Sequence, residues 1–387
     1  MSKLPKNLLK KLEIRSEKKA LRKLPNYCDL IDFSSNDYLG LAKNEEVFLN
    51  AVELLKEHSF IRNGATGSRL LTGNHPLYIE LEKKLCGFHE VDAALVFNSG
   101  YDANIGFFSS VPQRGDIVFY DEFIHASIRD GIRLGNANSY KFKHNDVEDL
   151  KSKISPSLLA QSRSHNAEIY IVTESVFSMD GDSPDLKALA EFSMGNNYHL
   201  IVDEAHAFGV LGVFGKGLVQ DLGLQEQVFA RIMTFGKALG CHGAAVLGSE
   251  KLKSFLTNYA RSFIYTTGLS PHAVATIIVA YEYLQTAEGI KAQQKLKENI
   301  ENFNKKCSSL NKKLNFLPSN SAIQSCNIKG NDEVKKVAQT MQEKGFDIKP
   351  VLSPTVPNGE ERLRICLHAY NSEKQIKEVL NLLQSIV

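Results

Sequence analysis

The run Tyr198-His-Leu-Ile-Val-Asp-Glu-Ala-His206 decides the fold of this 387-residue chain. Its centre is continuously apolar, which is typical of a strand covered by helices on both faces of a parallel sheet. Further β-rich runs precede and follow it, at Asp92–Phe97, Asp116–Tyr120, Glu168–Thr173, Val228–Met233 and Gly243–Leu247. Helical patterns lie between the runs, at Tyr101–Ser109, Ala126–Leu134 and Asp185–Asn196. Strands that alternate with helices predict an α/β fold with a mostly parallel sheet.

The regions outside this pattern predict an arm and a second, smaller domain. A long helical stretch at His272–Leu310 has no internal proline, and we expect it to link two domains. The pattern beyond it predicts α+β structure: strands at Ser325–Ile328, Asp347–Val351 and Arg362–Leu367, and helices at Asp332–Lys344 and Ser372–Ile386. A basic helix, a strand near Leu30–Phe33 and a loop at Asn36–Gly40 begin the chain. We therefore predict an arm at 1–50, a large domain at 51–285 and a small domain at 286–387.

Composition narrows the classes of function. The 46 Lys and Arg residues nearly balance the 44 Asp and Glu residues, which argues against nucleic acid as a partner. We find no apolar run of 18 residues and no export signal, so we expect a cytoplasmic protein without a membrane partner. The six cysteines are far apart and contain no Cys-x-x-Cys pair, which indicates isolated thiols and no metal site. They are Cys28, Cys86, Cys241, Cys307, Cys326 and Cys366.

A lysine and two residues of the opening run carry the predicted chemistry. Thr234-Phe-Gly-Lys-Ala-Leu-Gly240 follows a predicted strand and sets Lys237 among small residues. Such a lysine is well placed to form a Schiff base, and Asp203, at the end of a neighbouring strand, can pair with a pyridinium nitrogen. His206 follows three residues later. Together these residues predict a site for pyridoxal 5'-phosphate (PLP).

Two other phosphate-binding motifs are excluded by the same stretches. A P-loop that ends at Lys237 needs glycine at 231 and Ser or Thr at 238, but the chain has Arg231 and Ala238. The glycines of Gly209–Gly215 do not match G-x-G-x-x-G, so a dinucleotide site is unsupported.

Four motifs in order along the chain resemble the α-oxoamine synthases. They are Ser35-Asn-Asp-Tyr-Leu-Gly-Leu41, Asp203-Glu-Ala-His206, Thr234-Phe-Gly-Lys237 and Phe263-Ile-Tyr-Thr-Thr267. The resemblance runs from about Leu21 to the C-terminus. It implies the fold type I of PLP enzymes, with a seven-stranded, mostly parallel sheet and a small α+β C-terminal domain. It also implies a homodimer with shared active sites.

The resemblance further implies a reaction. The most similar branch of the family condenses L-alanine with a pimeloyl thioester, carried by CoA or acyl carrier protein, and releases CO2 and free thiol in biotin biosynthesis. Two other members, 2-amino-3-ketobutyrate CoA ligase and serine palmitoyltransferase, use the same machinery and stay open as alternatives. So do an aminotransferase and a non-catalytic PLP-binding regulator, although no DNA-binding extension is recognisable.

The resemblance also assigns roles to single residues. Lys237 holds PLP as a Schiff base, and Asp203 pairs with the ring nitrogen. His206 reaches the phenolic oxygen, and His125 stacks on the ring; these four are the predicted catalytic residues. The other cofactor-binding positions are Gly100, Tyr101, Ser178, Thr234, Thr266 and Thr267. Gly100 and Tyr101 open a helix, whose N–H groups and positive end suit a phosphate, and the last two threonines reach the phosphate of the neighbouring subunit.

Substrate recognition is predicted in the same way. The substrate-binding positions are Arg22, Asn36, Ser68, His125, Thr355 and Arg364. The planar guanidinium of Arg364 suits the carboxylate of the amino acid. We expect Arg362 on the opposite face of the strand, so that one of the two points inward. Leu352 stands where some members carry arginine, which leaves the contacts to the acyl chain open.

Overall fold

The computed structural model describes residues 4–18, 21–22, 24, 29–155, 167–309 and 314–387. The predicted thiol of Cys28 lies outside this part of the chain. Thirteen strands, numbered in chain order, are described: β1 Ile31–Asp32, β2 Ala93–Phe97, β3 Ile117–Asp121, β4 Asn138–Phe142, β5 Ile169–Glu174, β6 His199–Asp203, β7 Ala230–Thr234, β8 Ala244–Gly248, β9 Asn315–Phe316, β10 Ile323–Asn327, β11 Phe346–Asp347, β12 Lys349–Val351 and β13 Arg362–Cys366.

The central sheet has seven strands in the order β2-β8-β7-β6-β5-β3-β4. Its strands are parallel except β8, which pairs antiparallel with both β2 and β7. All six strands predicted for this sheet are confirmed, within two residues at each end. The pattern missed β4 at the edge, because four of its five residues are exposed and its sequence lacks an apolar run.

Helices cover both faces of the sheet. The described α-helices are Lys6–Glu17, Glu45–Glu57, Pro76–His89, Gly100–Ser110, Ala126–Leu134, Val147–Lys153, Leu186–Gly195, Leu218–Asp221, Glu250–Tyr259, Arg261–Ile264, Pro271–Tyr283, Ala287–Ser309, Asn331–Glu343 and Glu373–Ile386. Side chains of β6 alternate between two cores: Ile201 packs on one face, and Leu200 and Val202 pack on the other. None of the described helices is long and apolar enough to cross a bilayer.

The prediction of a single helical stretch at His272–Leu310 is wrong. The structure has two helices, Pro271–Tyr283 and Ala287–Ser309, with a break between them. The hydroxyl of Thr286 accepts a hydrogen bond from the N–H of Gly289 at 3.1 Å, which starts a new helix in the manner of an N-cap. A side chain at Gly289 would meet the carbonyl of Tyr283, so the break needs this glycine.

The C-terminal part has its own antiparallel sheet, in the order β12-β13-β10-β9. This agrees with the predicted α+β structure, but the single strand predicted at Asp347–Val351 is split. Its first half, β11, pairs in parallel with β1 from the N-terminal arm, and its second half, β12, joins β13. The division of the chain at residues 50 and 285 remains our proposal.

Candidate active site

A chain of polar contacts begins at the amine of Lys237, in the loop after β7. The amine lies 2.7 Å from Nε2 of His206, and Nδ1 of this histidine lies 2.7 Å from the hydroxyl of Tyr38. The hydroxyl of Tyr38 donates to Oδ1 of Asn36 at 3.2 Å. The structure therefore brings together residues from the arm, the loop after β6 and the lysine loop.

Burial determines the protonation states of Lys237 and His206 in this series of contacts. It lowers the pKa of Lys237 to about 8, against the negative charges of Asp203 and Glu174, which favour the protonated amine. Burial, together with the positive charges of Lys237 and Arg364, lowers the pKa of His206 well below its usual value. His206 is therefore a neutral imidazole near pH 7, next to an amine that loses its proton unusually easily.

A second chain joins Asp203, at the end of β6, to His125. Oδ2 of Asp203 accepts a hydrogen bond from Nδ2 of Asn104 at 2.9 Å, and the same amide nitrogen donates to the hydroxyl of Ser127 at 3.0 Å. This hydroxyl lies 2.7 Å from Nδ1 of His125. The backbone N–H of Ala205 donates to the other oxygen of Asp203 at 3.0 Å. These bonds fix the carboxylate and the imidazole relative to each other.

Glu174, at the end of β5, holds the backbone of His125 in place. Its carboxylate accepts a hydrogen bond from the backbone N–H of His125 at 2.5 Å. Burial and the negative charge of Asp203 raise the pKa of Glu174 far above its usual range. His125 is exposed to a cleft, and desolvation by the protein on the other side of its ring lowers the pKa of His125.

Arg364 of β13 reaches the same place from the C-terminal sheet. Its Nη2 donates to Oδ1 of Asn36 at 2.9 Å, and its Nε donates to the carbonyl of Ser178 at 2.7 Å. The expectation that Arg362 lies on the opposite face of the strand is wrong, because residues two apart point the same way. Arg362 instead pairs with Asp180 and is almost fully buried. Arg364 is the one that contacts Asn36.

The helix Gly100–Ser110 supplies the predicted anion-binding end. The side chain of Ser99 caps it by accepting a hydrogen bond from the N–H of Asp102. A side chain at Gly100 would come within 3.4 Å of the hydroxyl of Thr234, so the helix end and the lysine loop are adjacent. Tyr101 is half-exposed, and its hydroxyl donates to Asp130 at 2.8 Å.

Thr266 and Thr267 lie beside this helix end in the same chain. Nδ2 of Asn98 donates to the hydroxyl of Thr266 at 3.1 Å and to the carbonyl of Thr267 at 2.6 Å. Our prediction that these threonines reach the neighbouring subunit stays a prediction. Ser68 lies in the loop before the helix Pro76–His89, where its carbonyl accepts the N–H groups of Leu71 and Gly73.

A cleft of about 900 Å³ opens in front of His125. Its walls include four of the predicted site residues, namely Arg22, His125, Ser178 and Thr355. Leu352 also lines it, so the departure noted in the sequence lies where an acyl chain could bind. Direct contacts thus connect Lys237 to His206 and Arg364 to Asn36 and Ser178, whereas the described bonds of Ser68 stay within its own loop.

The residues present suit PLP. A half-buried amine with a lowered pKa can form an imine, and a carboxylate fixed by Asn104 and Ala205 can hold a proton on a pyridine nitrogen. A capped helix end next to the hydroxyl of Thr234 offers N–H groups to a phosphate. The aldehyde, the ring nitrogen and the phosphate of PLP thus each find a matching partner.

Comparison with known proteins agrees with this arrangement. The family model for aminotransferase class I and II matches residues 28–383. The chain belongs to this family. It is 40% identical over 397 residues to the 8-amino-7-oxononanoate synthase of Emericella nidulans, covering 98% of this chain and 94% of that one. The enzyme of the same name from Saccharophagus degradans is 39% identical, covering 93% and 87%.

Solved structures of the family share the fold. A serine palmitoyltransferase from S. paucimobilis with bound PLP and myriocin superposes with a TM-score of 0.86 at 25% identity, covering 98% of this chain and 96% of that chain. The 8-amino-7-oxononanoate synthase of Francisella tularensis superposes with a TM-score of 0.77 at 28% identity, covering 92% and 97%. These matches confirm the predicted fold class and the predicted resemblance.

The sequence reasoning missed three residues that join the site together. Tyr38 holds His206, Asn104 holds Asp203, and Glu174 holds the backbone of His125. Tyr38 lies inside the motif Ser35–Leu41, Asn104 lies in the predicted helix Tyr101–Ser109, and Glu174 directly follows the predicted strand Glu168–Thr173. Their side chains were not singled out because their partners are 49 to 168 positions away along the chain.

Proposed function

We propose that the protein is an 8-amino-7-oxononanoate synthase, which condenses L-alanine with a pimeloyl thioester and releases CO2 and free thiol. The observation that carries the proposal is the half-buried amine of Lys237, held by His206 and influenced by the carboxylate of Asp203. The supporting finding is the 40% identity to a synthase of this name over nearly the full chain.

Bound PLP supplies an electron sink that stabilises negative charge at the α-carbon of an amino acid. Asp203 holds a proton at the ring nitrogen, because Asn104 and Ala205 keep its carboxylate in place. Arg364 binds the carboxylate of alanine through its planar guanidinium, which Asn36 and the carbonyl of Ser178 orient.

Proton movement falls to Lys237 and His125. The lowered pKa of Lys237 leaves a neutral fraction near pH 7 that can take the α-proton of alanine. His125 opens onto the cleft where the acyl thioester binds, and its lowered pKa keeps its imidazole neutral. We assign His125 to support the loss of CO2 from the condensed product.

We further propose that the protein works as a homodimer in the cytoplasm. Exposed apolar side chains support the dimer: Tyr265, directly before the predicted shared threonines, is 73% exposed, Leu71 is 81% exposed and Ile61 is 77% exposed. Large apolar side chains left exposed in this way can be covered by association. Sedimentation of the holoprotein tests this, and a monomer at micromolar concentration would contradict it.

A substrate panel tests the reaction. Alanine, glycine and serine are each combined with pimeloyl-CoA, acetyl-CoA and palmitoyl-CoA, and the released thiol and CO2 are measured. We expect alanine with pimeloyl-CoA to give the highest kcat/KM, and Lys237→Ala to give none while it remains folded. Higher activity with glycine and acetyl-CoA would overturn the proposal.

The second candidate is serine palmitoyltransferase activity. It is favoured by the TM-score of 0.86 to an enzyme of that name, which exceeds the 0.77 to the Francisella synthase. The sequence identity of 25% to this palmitoyltransferase, against 40% to the Emericella synthase, argues against it. In the panel, serine with palmitoyl-CoA would then be the preferred pair.

A further inference from the structure

The cleft contains a cation that the proposed chemistry does not use. Arg129 lies on the helix Ala126–Leu134, one turn after His125, and lines the cleft. Its Nε donates to the carbonyl of Ile124 at 3.1 Å, and its Nη2 donates to the carbonyl of Glu122 at 2.8 Å. Two backbone acceptors therefore fix the plane of the guanidinium before any ligand arrives.

These contacts orient the charge of Arg129 without neutralising it. Within the described part of the chain we find no carboxylate that forms an ion pair with this guanidinium. The carboxylate of its neighbour Asp130 instead accepts from Tyr101 and lies 3.7 Å from Arg133. A partly buried guanidinium without a counter-charge favours an anionic ligand, and its fork suits a carboxylate.

Arg129 differs from the other arginines of the cleft in its burial. Arg22 is exposed, and the side chain of Arg133 is 77% exposed. Arg129 is only partly exposed, and apolar side chains share its part of the cleft, among them Phe123, Met179 and Leu352. Water competes less for a guanidinium in such surroundings, so binding of an anion there contributes more free energy than at an exposed arginine.

The proposed substrate indicates which anion Arg129 meets. His125 marks the reacting end of the cleft, and Arg129 lines the same cleft with its guanidinium held at the carbonyls of Ile124 and Glu122. In a pimeloyl thioester the terminal carboxylate is the anionic group nearest to the reacting thioester carbon. The pantetheine arm of the carrier is longer, so the carrier phosphates lie further from the reacting carbon.

We propose that Arg129 binds the terminal carboxylate of the acyl chain and so selects dicarboxylic over monocarboxylic acyl thioesters. The apolar side chains of the cleft hold the methylene groups between the two ends. This inference rests on the proposed function and adds the residue that determines acyl specificity.

The test compares two acyl thioesters that differ only at the terminal group. Pimeloyl-CoA and heptanoyl-CoA both have seven carbons, and only the first carries the carboxylate. Replacing Arg129 by Gln should lower kcat/KM for pimeloyl-CoA about 10- to 100-fold, as expected for a lost charged hydrogen bond, and change heptanoyl-CoA by less than about twofold. Arg129→Lys should keep part of the preference, because it keeps the charge.

The matched control is Arg133→Gln, one turn further along the same helix and largely exposed. It should leave the ratio of the two kcat/KM values unchanged. An equal loss for both thioesters in Arg129→Gln would overturn the proposal and make Arg129 a residue that positions His125. Unchanged kcat/KM values for both thioesters in Arg129→Gln would overturn it as well.

Two further measurements distinguish binding of the acyl carboxylate from binding of the carrier phosphates, and binding from turnover. Pimeloyl-N-acetylcysteamine lacks the carrier phosphates, so an effect of Arg129→Gln that disappears with this thioester would assign the residue to the carrier and refute the proposal. Calorimetric titration with unreactive amide analogues of pimeloyl-CoA and heptanoyl-CoA needs no turnover. It therefore tests Arg129 even if the wild type forms no aminoketone, which is the outcome that refutes the proposed function.

Discussion

The chemistry of the site depends on a balance of charge around one amine. Lys237 lies between the neutral imidazole of His206 and the carboxylates of Asp203 and Glu174. Removal from water favours the neutral amine, and the carboxylates favour the protonated one. The first effect is larger, so the pKa of Lys237 falls to about 8.

The lowered pKa of Lys237 predicts how the apoprotein captures PLP. The neutral amine is the reactive form, so the rate of PLP attachment should rise roughly tenfold between pH 7 and pH 9 and level off above. An ordinary lysine would continue to gain rate up to a pKa near 10.5. Stopped-flow absorbance of the bound cofactor measures this rate, with Lys237→Ala as the control that should show no attachment. A midpoint near pH 10 would contradict the prediction.

Many of the site residues lie in loops that connect strands to helices. The lysine loop is held in place by its close contact with a segment of the N-terminal arm. Gly240 closes the turn after Lys237 with φ of +61°, and its N–H donates to the carbonyl of Lys237 at 2.8 Å. A side chain there would come within 2.1 Å of the backbone nitrogen of Ala42. This contact presses the arm segment that follows Tyr38 against the lysine loop.

Replacing Gly240 by Ala should therefore destabilise the protein. The left-handed backbone alone costs an alanine about 1–2 kcal/mol, and the clash with the backbone of Ala42 adds to this. We expect the free energy of unfolding to fall by at least about 2 kcal/mol in urea titration. The control is Gly87→Ala, in an exposed helical position with nothing within 4 Å of the new methyl group, which should stabilise by about 0.5–1 kcal/mol. Equal effects of the two changes would refute the argument.

Across the whole molecule, His144 ties together two loops that carry site residues. Its Nδ1 lies 2.9 Å from Asp121, at the end of β3, and its Nε2 lies 2.8 Å from Asp182, beyond Ser178. Asp180 lies within 4.8 Å of this group, and Glu122 accepts the backbone N–H of His144. Burial opposes the charged imidazole, but these hydrogen bonds and carboxylates raise the pKa of His144 to about 9.

This raised pKa predicts a loss of stability at alkaline pH. The folded protein binds the proton of His144 more tightly than the unfolded chain, whose pKa is near 6.5. The contribution is therefore fully present below about pH 6.5 and is lost as the pH rises through about 9; at most it amounts to about 3 kcal/mol. Subtracting the unfolding free energy of His144→Gln from that of the wild type at each pH removes the contributions of other groups. A difference that does not fall between pH 6.5 and pH 9 would contradict the role of His144.

The sequence by itself determined six of the seven strands of the central sheet, the lysine and aspartate at strand ends, and the family. Continuous apolar residues identify a buried strand. Asp203 is the last residue of one such strand and Lys237 lies just beyond another, each within a short motif. The edge strand β4 and the break at Thr286 were missed because exposed residues and a single capping hydroxyl give weak local patterns.

Only the tertiary structure decided how distant side chains meet. Tyr38 lies 168 positions from His206, and Arg364 lies 328 positions from Asn36, so no local pattern could pair them. The same holds for the cleft, where Arg129 is fixed by carbonyls close in sequence but faces walls from remote segments. Apolar periodicity is a property of neighbours along the chain, whereas the charge, burial and pKa of a site residue depend on whatever folding brings beside it.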